Sequence, residues 1–320
     1  MKPAAFNYVA AVTIEEALAA LTAGAGDAKI LAGGQSLVPM MNFRLLEPAT
    51  LVDINRIAGL DGISDTDASI VIGALTRHKI VAASPLIAAQ LPVITAAMRH
   101  VAHFGVRNRG TIGGSLAHAD PAAELPMLAR LLDARITCRS PRGERVMSSE
   151  DFFVGPLSTA LHADEIITSI TFPKLPPQSG WAFEEFARRV GDFAIAAIGV
   201  VLSQRDGRCV QAQIAMAGVG PTPLRANNAE AVLLGTLVDS ASIDASARAA
   251  CAAASPDTDL QGSAAYRSHL VEELTRRAIA TAWQRANGLT SGLTSGLTSG
   301  LTSGLTSGSP SAAPLTGRPQ

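Results

Sequence analysis

The chain has 320 residues, 48% of them hydrophobic and 17% charged, with a formal net charge of −1 at pH 7. That balance describes a core-rich globular protein of about two domains, at roughly 150 residues per domain. It argues against nucleic acid or an anionic membrane surface as the main partner. The three cysteines, Cys138, Cys209 and Cys251, stand far apart. An odd, scattered set builds no disulfide framework and cannot hold an iron–sulfur cluster, which takes about four thiolates. No run approaches about 18 uncharged apolar residues, so no membrane span is expected. The N-terminus has one early lysine and then Asn7, Glu15 and Glu16, which does not read as a signal peptide. A cytoplasmic location is the expectation.

In chain order, Phe6–Val12 reads as a strand. Thr13-Ile-Glu-Glu16 has the spacing of a capping box opening a helix that ends near Gly24. Lys29–Ala32 is a short strand, Ser36–Arg44 a short helix and Thr50–Ile54 a strand, so residues 1–55 alternate as a small α/β unit. Ala68–Leu75 is a buried strand. Helices are expected over Arg77–Ala83, Pro85–Ala89 and Leu91–Ala102, the last broken at a Phe104-Gly105 corner. Pro121–Leu132 is a helix with proline in its first turn. Ala134–Arg139 and Glu165–Phe172 are strands on either side of a helical turn at Ser148–Phe153, which makes residues 56–175 an α+β unit. The proline-rich stretch 173–180 marks a boundary. Beyond it, Trp181–Arg189, Ala194–Gln204 and Val210–Val219 read as three strands in meander order. Helices Ala226–Leu234, Ser240–Ala254 and Ser263–Ala286 follow, completing a unit over 176–287. Five tandem Gly-Leu-Thr-Ser repeats run from Gly288 to Ser307, and residues 288–320 are expected to be a disordered low-complexity tail.

Chemistry concentrates in two glycine-rich segments. In the first, Ala32-Gly-Gly-Gln-Ser36, Gly33 and Gly34 can present their amides, and Ser36 adds a hydroxyl ahead of a helix N-terminus. A tight βα turn that needs glycine only for its backbone angles is an equal reading of this segment alone. The second, Thr111-Ile-Gly-Gly-Ser115, has the same ingredients. Two such segments in one chain point to a ligand with two phosphates, such as a dinucleotide. No G-x-G-x-x-G follows a strand, since Gly24-Ala-Gly26 lacks the third glycine, and no G-x-x-x-x-G-K-[ST] is present. That removes the Rossmann and P-loop readings.

Residues 32–45, Ala-Gly-Gly-Gln-Ser-Leu-Val-Pro-Met-Met-Asn-Phe-Arg-Leu, and residues 110–126, Gly-Thr-Ile-Gly-Gly-Ser-Leu-Ala-His-Ala-Asp-Pro-Ala-Ala-Glu-Leu-Pro, closely resemble the FAD-binding medium subunit of the molybdenum hydroxylases. That family includes xanthine dehydrogenase and aerobic carbon-monoxide dehydrogenase, and the latter branch looks nearer. The resemblance spans residues 1–287, including Arg188-Arg-Val-Gly-Asp-Phe-Ala194 and Ala265-Tyr-Arg267. It implies an α+β protein with a vanillyl-alcohol-oxidase-like FAD fold of two α/β subdomains, 1–55 and 56–175. A C-terminal three-stranded antiparallel sheet with helices completes it over 176–287.

By the same resemblance, Ala32, Gly33, Gly34, Gln35 and Ser36, with Thr111, Ile112, Gly113, Gly114 and Ser115, hold the FAD pyrophosphate and ribityl. Glu124 matches an acidic or polar position near the cofactor, and Ile167 an apolar position against flavin or adenine. Phe193 stands where relatives often carry an aromatic near the flavin, and Glu184-Glu185 where some carry a lysine.

His118 and Asp120 lack further ligands at metal spacing and are not read as a metal site. His100 and His103 are read as surface or capping residues on one helical face. Arg107, Arg109, Arg188 and Arg189 are read as solvated, with phosphate neutralisation (the first two) and a partner surface (the others) as the alternatives.

The resemblance implies an electron-transfer subunit whose FAD takes electrons from a small subunit with [2Fe-2S] clusters. A large molybdopterin subunit oxidises the substrate, in a dimer of heterotrimers. A stand-alone flavin oxidoreductase of the same fold is the second reading, and a structural subunit without cofactor the third.

Overall fold

Thr13 starts the first helix because its hydroxyl takes up an orphan amide: Oγ1 accepts from Glu16 N–H at 3.1 Å. Glu16 Oε2 in turn accepts from Val12 N–H at 2.8 Å, so the expected capping box forms, reaching one residue further back. The computed structural model describes residues 2–289; from Thr290 on, the expected low-complexity tail lies outside them. Strands β1 (Asn7–Ala10), β2 (Ala28–Leu31) and β3 (Thr50–Asp53) alternate with helices α1 (Ile14–Ala23) and α2 (Leu37–Asn42). They form a parallel sheet in the order β1-β3-β2. Leu18 and Leu21 of α1 pack with Val52 and Ile54 on one face of it. Leu31 pairs with Asp53, so β2 and β3 end side by side and the first glycine segment emerges next to Asp53 and Asn55.

The second unit contains β4 (Ile63–Asp65), β5 (Ser69–Gly73), α3 (His78–Ala83), α4 (Pro85–Gln90), α5 (Pro92–Ala97) and α6 (Phe104–Arg109). It continues with α7 (Ile112–His118), α8 (Glu124–Leu131), β6 (Arg135–Ser140), β7 (Gly143–Ser148) and α9 (Ser149–Phe152). A small pair, β8 (Phe153–Gly155) with β9 (Ser158–Thr159), precedes β10 (Ile166–Pro173). The sheet order is β4-β5-β10-β6-β7, and every pair in it is antiparallel. This unit is therefore α+β, as its own order of strands and helices predicts, whereas the first is α/β.

Expected boundaries move on either side of the second glycine segment. The helix expected to reach Ala102 ends at Ala97, and Ala102 turns the chain with φ 44. Phe104 and Gly105 then open α6 rather than breaking a helix. Helix α8 starts at Glu124 instead of Pro121, because Asp120 Oδ1 accepts from Ala122 N–H at 2.9 Å and holds 120–122 as a turn.

The third unit has β11 (Ser179–Phe186), β12 (Ala196–Arg205), β13 (Arg208–Ala217) and β14 (Leu224–Arg225), then α10 (Asn227–Leu233), α11 (Ser240–Ala253) and α12 (Ala264–Ala286). Its antiparallel sheet runs β11-β12-β13-β14. It has four strands rather than the expected three, because the two-residue β14 pairs with Ala215 and Met216, a run too short to leave a periodic signal.

Strand β12 reads as an unbroken apolar run because both its faces are covered. Ala197 and Val201 join the core of the second unit, whereas Ile198, Val200 and Leu202 join that of α12. Helix α8 packs on one side of this sheet and α12 on the other. On α12, Leu270, Val271, Leu274, Ala278, Ile279 and Ala282 form one buried stripe at helical spacing. Full burial of each Leu or Ile contributes about 1.5–3 kcal/mol.

Gly180 sets how closely α12 approaches β11: a Cβ there would lie 1.8 Å from the Ala282 carbonyl and 2.3 Å from the Ala286 amide nitrogen. Gly180→Ala should lower stability by about 3 kcal/mol or more in urea denaturation, the upper range for overpacking against backbone. Gly105→Ala, with nothing within 4 Å and a helical backbone, should be neutral or gain up to about 1 kcal/mol.

Candidate functional site

The two glycine segments are in contact. A Cβ on Gly33 would lie 2.5 Å from the Arg109 carbonyl oxygen and 2.9 Å from Gly110 Cα. Only a residue without a side chain lets the backbones meet there. The second segment is held in place by the continuation of β5. His78 N–H donates to the Gly110 carbonyl, Ile112 N–H to Thr76 and Gly113 N–H to Ala74, at 3.0, 3.1 and 2.9 Å. Gly113 is needed for that seam, since a Cβ would sit 2.7 Å from Ala74 Cβ.

The segments present different faces to a ligand. In the second, Thr111 Oγ1 accepts from Gly114 N–H at 3.1 Å, and Ser115 N–H donates to the Thr111 carbonyl. Residues 112–115 thus spend their amides inside the protein, as the first turn of α7 rather than as an open loop. In the first, Gly34 takes φ 69, and the N–H groups of Gly33, Gly34, Gln35 and Ser36 donate to no acceptor among the described residues. An open cleft of about 410 Å³ runs along them, lined also by Val38, Asp53, Asn55 and Arg109. Unpaired amides beside an arginine suit an anionic group.

Beneath the second segment His78 is buried, its Nε2 3.0 Å from both the Thr111 carbonyl and Ser115 Oγ. A carbonyl only accepts, so Nε2 carries the proton. Nδ1 has no partner. Burial pushes the imidazole down to about 4, with the charges of Arg107 and Arg77 adding and the Thr111 contact opposing, so it is neutral at pH 7.

Glu124 heads α8 and is buried. Desolvation raises its carboxyl to about 7, and the neighbouring Glu185 charge adds to the effect. Glu185 Oε1 lies 3.6 Å from His100 Nδ1 and holds that imidazole above its ordinary pKa against desolvation. Its other oxygen, Oε2, is buried without a partner. Ile167 is buried in β10 opposite Cys138, in the core of the second unit. Phe193 is exposed.

His100 and His103 do not share a helical face: His100 follows α5 and His103 is the N-cap of α6. Arg107 is occupied by the Val101 and Ala102 carbonyls at 2.8 and 2.6 Å, so of the two flanking arginines only Arg109 reaches the cleft. Arg188 donates to the Leu260 carbonyl. Glu184 pairs with Arg277. No group of three or more His, Cys, Asp or Glu among the described residues could hold a metal, and no helix there is long and apolar enough to cross a membrane.

Sequence reasoning missed Asp53, Asn55, Arg77 and His78. Asp53 accepts from Tyr8 Oη at 2.5 Å and from the Asn55 backbone N–H at 2.8 Å. Desolvation opposes ionised Asp53, but these donors outweigh it and hold the carboxyl below its usual value. A signal was available: polar residues at the carboxyl end of a parallel strand stand beside the loop that leaves its neighbour.

Residues 4–175 match the family described as FAD binding domain in molybdopterin dehydrogenase, and residues 181–282 match the CO dehydrogenase flavoprotein C-terminal domain. The chain is 45% identical to the 6-hydroxypseudooxynicotine dehydrogenase complex subunit alpha of Paenarthrobacter nicotinovorans, over 89% of this chain and 97% of that one. Among solved structures it resembles carbon monoxide dehydrogenase from Hydrogenophaga pseudoflava, with a TM-score of 0.87 and 40% identity over 89% and 99% of the two chains. Quinoline 2-oxidoreductase from Pseudomonas putida 86 gives a TM-score of 0.85 and 38% identity over 89% and 99%.

Folded Glu124 keeps its proton to about pH 7, whereas an ordinary glutamate releases it near 4.5. The native state therefore binds more protons between those values, and stability falls as pH rises through them. Glu124→Gln should remove this loss. Its stability relative to the parent chain, from urea midpoints, should improve by up to about 3 kcal/mol between pH 4.5 and 8.

Proposed function

This chain belongs to the family of FAD-binding domains of molybdopterin dehydrogenases, and on that footing we propose that it is the FAD-carrying electron-transfer subunit of a molybdenum hydroxylase complex. The residues present fit the cofactor: the unpaired amides of the first glycine segment, Arg109 beside them, and the adjoining cleft. Gly33, Gly34, Gln35 and Ser36, following Ala32, would hold the pyrophosphate through their N–H groups, with Arg109 adding positive charge. Thr111, Ile112, Gly113, Gly114 and Ser115 contribute differently. With their amides engaged internally, they seam the second segment to the residues after β5 and so hold Arg109 and Gly110 against Gly33, and Ser115 Oγ offers a polar contact. Glu124 holds a proton near neutrality and can donate a hydrogen bond, and Ile167 supplies an apolar surface.

FAD, when bound, joins two-electron to one-electron carriers, which is why a flavin suits the junction between a substrate site and an acceptor. The chain's own task is to bind and orient that group. Two partners complete the reading: a small iron–sulfur subunit and a large molybdopterin subunit, in a dimer of heterotrimers acting in the cytoplasm. The name of one relative, a subunit of a dehydrogenase complex, supports the need for partners. The division into 1–55, 56–175 and 176–287 belongs to the same reading. The observation that carries the proposal is the set of undonated amides beside the Gly33 contact. The complex's substrate is chosen by the large subunit; relatives carry names drawn from 6-hydroxypseudooxynicotine, carbon monoxide and quinoline.

The purified chain should be yellow and release FAD on denaturation. Gly33→Val, which pushes side-chain atoms into the Arg109 carbonyl, should lower bound flavin at least about tenfold, a loss of roughly 1.4 kcal/mol or more in affinity. Colourless protein that takes up no FAD would refute the proposal.

A further inference from the structure

Between the two glycine segments lies a polar chain to which no role has been given. Asn55 Nδ2 donates to the Ala32 carbonyl at 2.9 Å, and it also lies 3.4 Å from the Leu31 carbonyl. The same amide is anchored by Asp53 Oδ1, 2.6 Å from Nδ2. Asn55 Oδ1 accepts from Arg77 Nη2 at 2.6 Å, and Arg77 Nη1 donates to the Arg109 carbonyl. The amide orientation follows from its neighbours: carbonyls require Nδ2 on one side, and a guanidinium requires Oδ1 on the other. Arg77 is half-buried, so its charge is partly removed from water and its bonds gain strength accordingly.

The arrangement acts on two specific atoms. In a planar trans peptide the carbonyl and the next N–H point in opposite directions. Asn55, by gripping the Ala32 carbonyl, turns the Gly33 N–H away from itself. Gln35 Nε2 grips the Gly33 carbonyl at 3.0 Å and so turns the Gly34 N–H in the same fashion. Both amides stay undonated within the described residues. The Arg109 carbonyl that Arg77 holds is the atom against which Gly33 packs.

We infer that Asn55 and Arg77 are positioning residues for FAD: together they fix the direction of the first segment's free amides and its contact with the second. The inference rests on the flavin reading above. Each is an exposed or half-buried residue outside the hydrophobic cores, so removing it loosens the cradle more than the fold.

The test is titration of the flavin-stripped full-length chain with FAD, followed by flavin fluorescence, alongside urea denaturation of the same flavin-free samples. Asn55→Ala and Arg77→Ala should each raise the Kd for FAD by about 10- to 100-fold, as expected for losing hydrogen bonds to a charged group. The double variant should fall well short of the product of the two losses, because the hydrogen bond between Asn55 and Arg77 is lost in each single variant and can be lost only once. Arg77→Lys, which keeps the charge but lacks the planar fork that spans both acceptors, should recover part of the affinity. Urea midpoints of the flavin-free variants should stay close to that of the parent. The inference is overturned if the parent binds FAD and the variants bind within about twofold of it. Losses that multiply fully in the double variant, or that only mirror a drop in flavin-free stability, overturn it too. A parent chain that takes up no FAD overturns the flavin reading beneath it.

Discussion

The backbone contact at Gly33 is the constraint from which the site follows. One strand–loop from a parallel sheet and the turn between α6 and α7, seamed to an antiparallel sheet, meet where a Cβ would lie 2.5 Å from the Arg109 oxygen. Each side of the contact is supported by its own sheet. The first segment leaves β2 beside the end of β3, with Asp53 and Asn55 under it. The second is seamed to the residues that follow β5 through three backbone hydrogen bonds. The division of labour is a consequence: amides used in the seam are not free for a ligand, and amides in the unsupported turn are.

Burial on both sides of α8 explains the rest of the chemistry. The helix lies between the sheet of the third unit and helices α5, α7 and α9 of the second, with Leu131 and Met127 against Gly199 of β12. Its first residue, Glu124, is thereby removed from water and faces Glu185 from β11. Two carboxyls in one dry place cannot both ionise cheaply. Glu124 accordingly holds its proton to about pH 7, and the contact with Glu185 raises the His100 imidazole above its ordinary pKa.

The sequence made the α/β start, the capping box at Thr13, the meander and the long C-terminal helix legible, because each has a strong local signature. It also made the first glycine segment legible, since β2, the turn and α2 fall where the apolar pattern and glycines put them. The second segment has the same ingredients but lies as the first turn of α7. Its glycines serve close packing against Ala74 and the first turn of α7, and nothing local separates that use from anion binding. Strands β4, β7, β8, β9 and β14 were missed, being short or edge elements fixed by their partners rather than by their own pattern. Arg77 is invisible in the sequence for a related reason. Its partners, the Arg109 carbonyl and the Asn55 side chain, are brought near by the fold, and no spacing in the sequence encodes that.

Amide hydrogen exchange with and without FAD tests the central claim most directly, because the two glycine segments start from different states. Residues 33–36 have undonated N–H groups, and those of 112–115 are already bonded. FAD is predicted to slow exchange strongly at 33–36 and to change little at 112–115, where protection exists beforehand. Exchange at 33–36 that is unaltered by saturating FAD, or protection gained only elsewhere, would contradict the account.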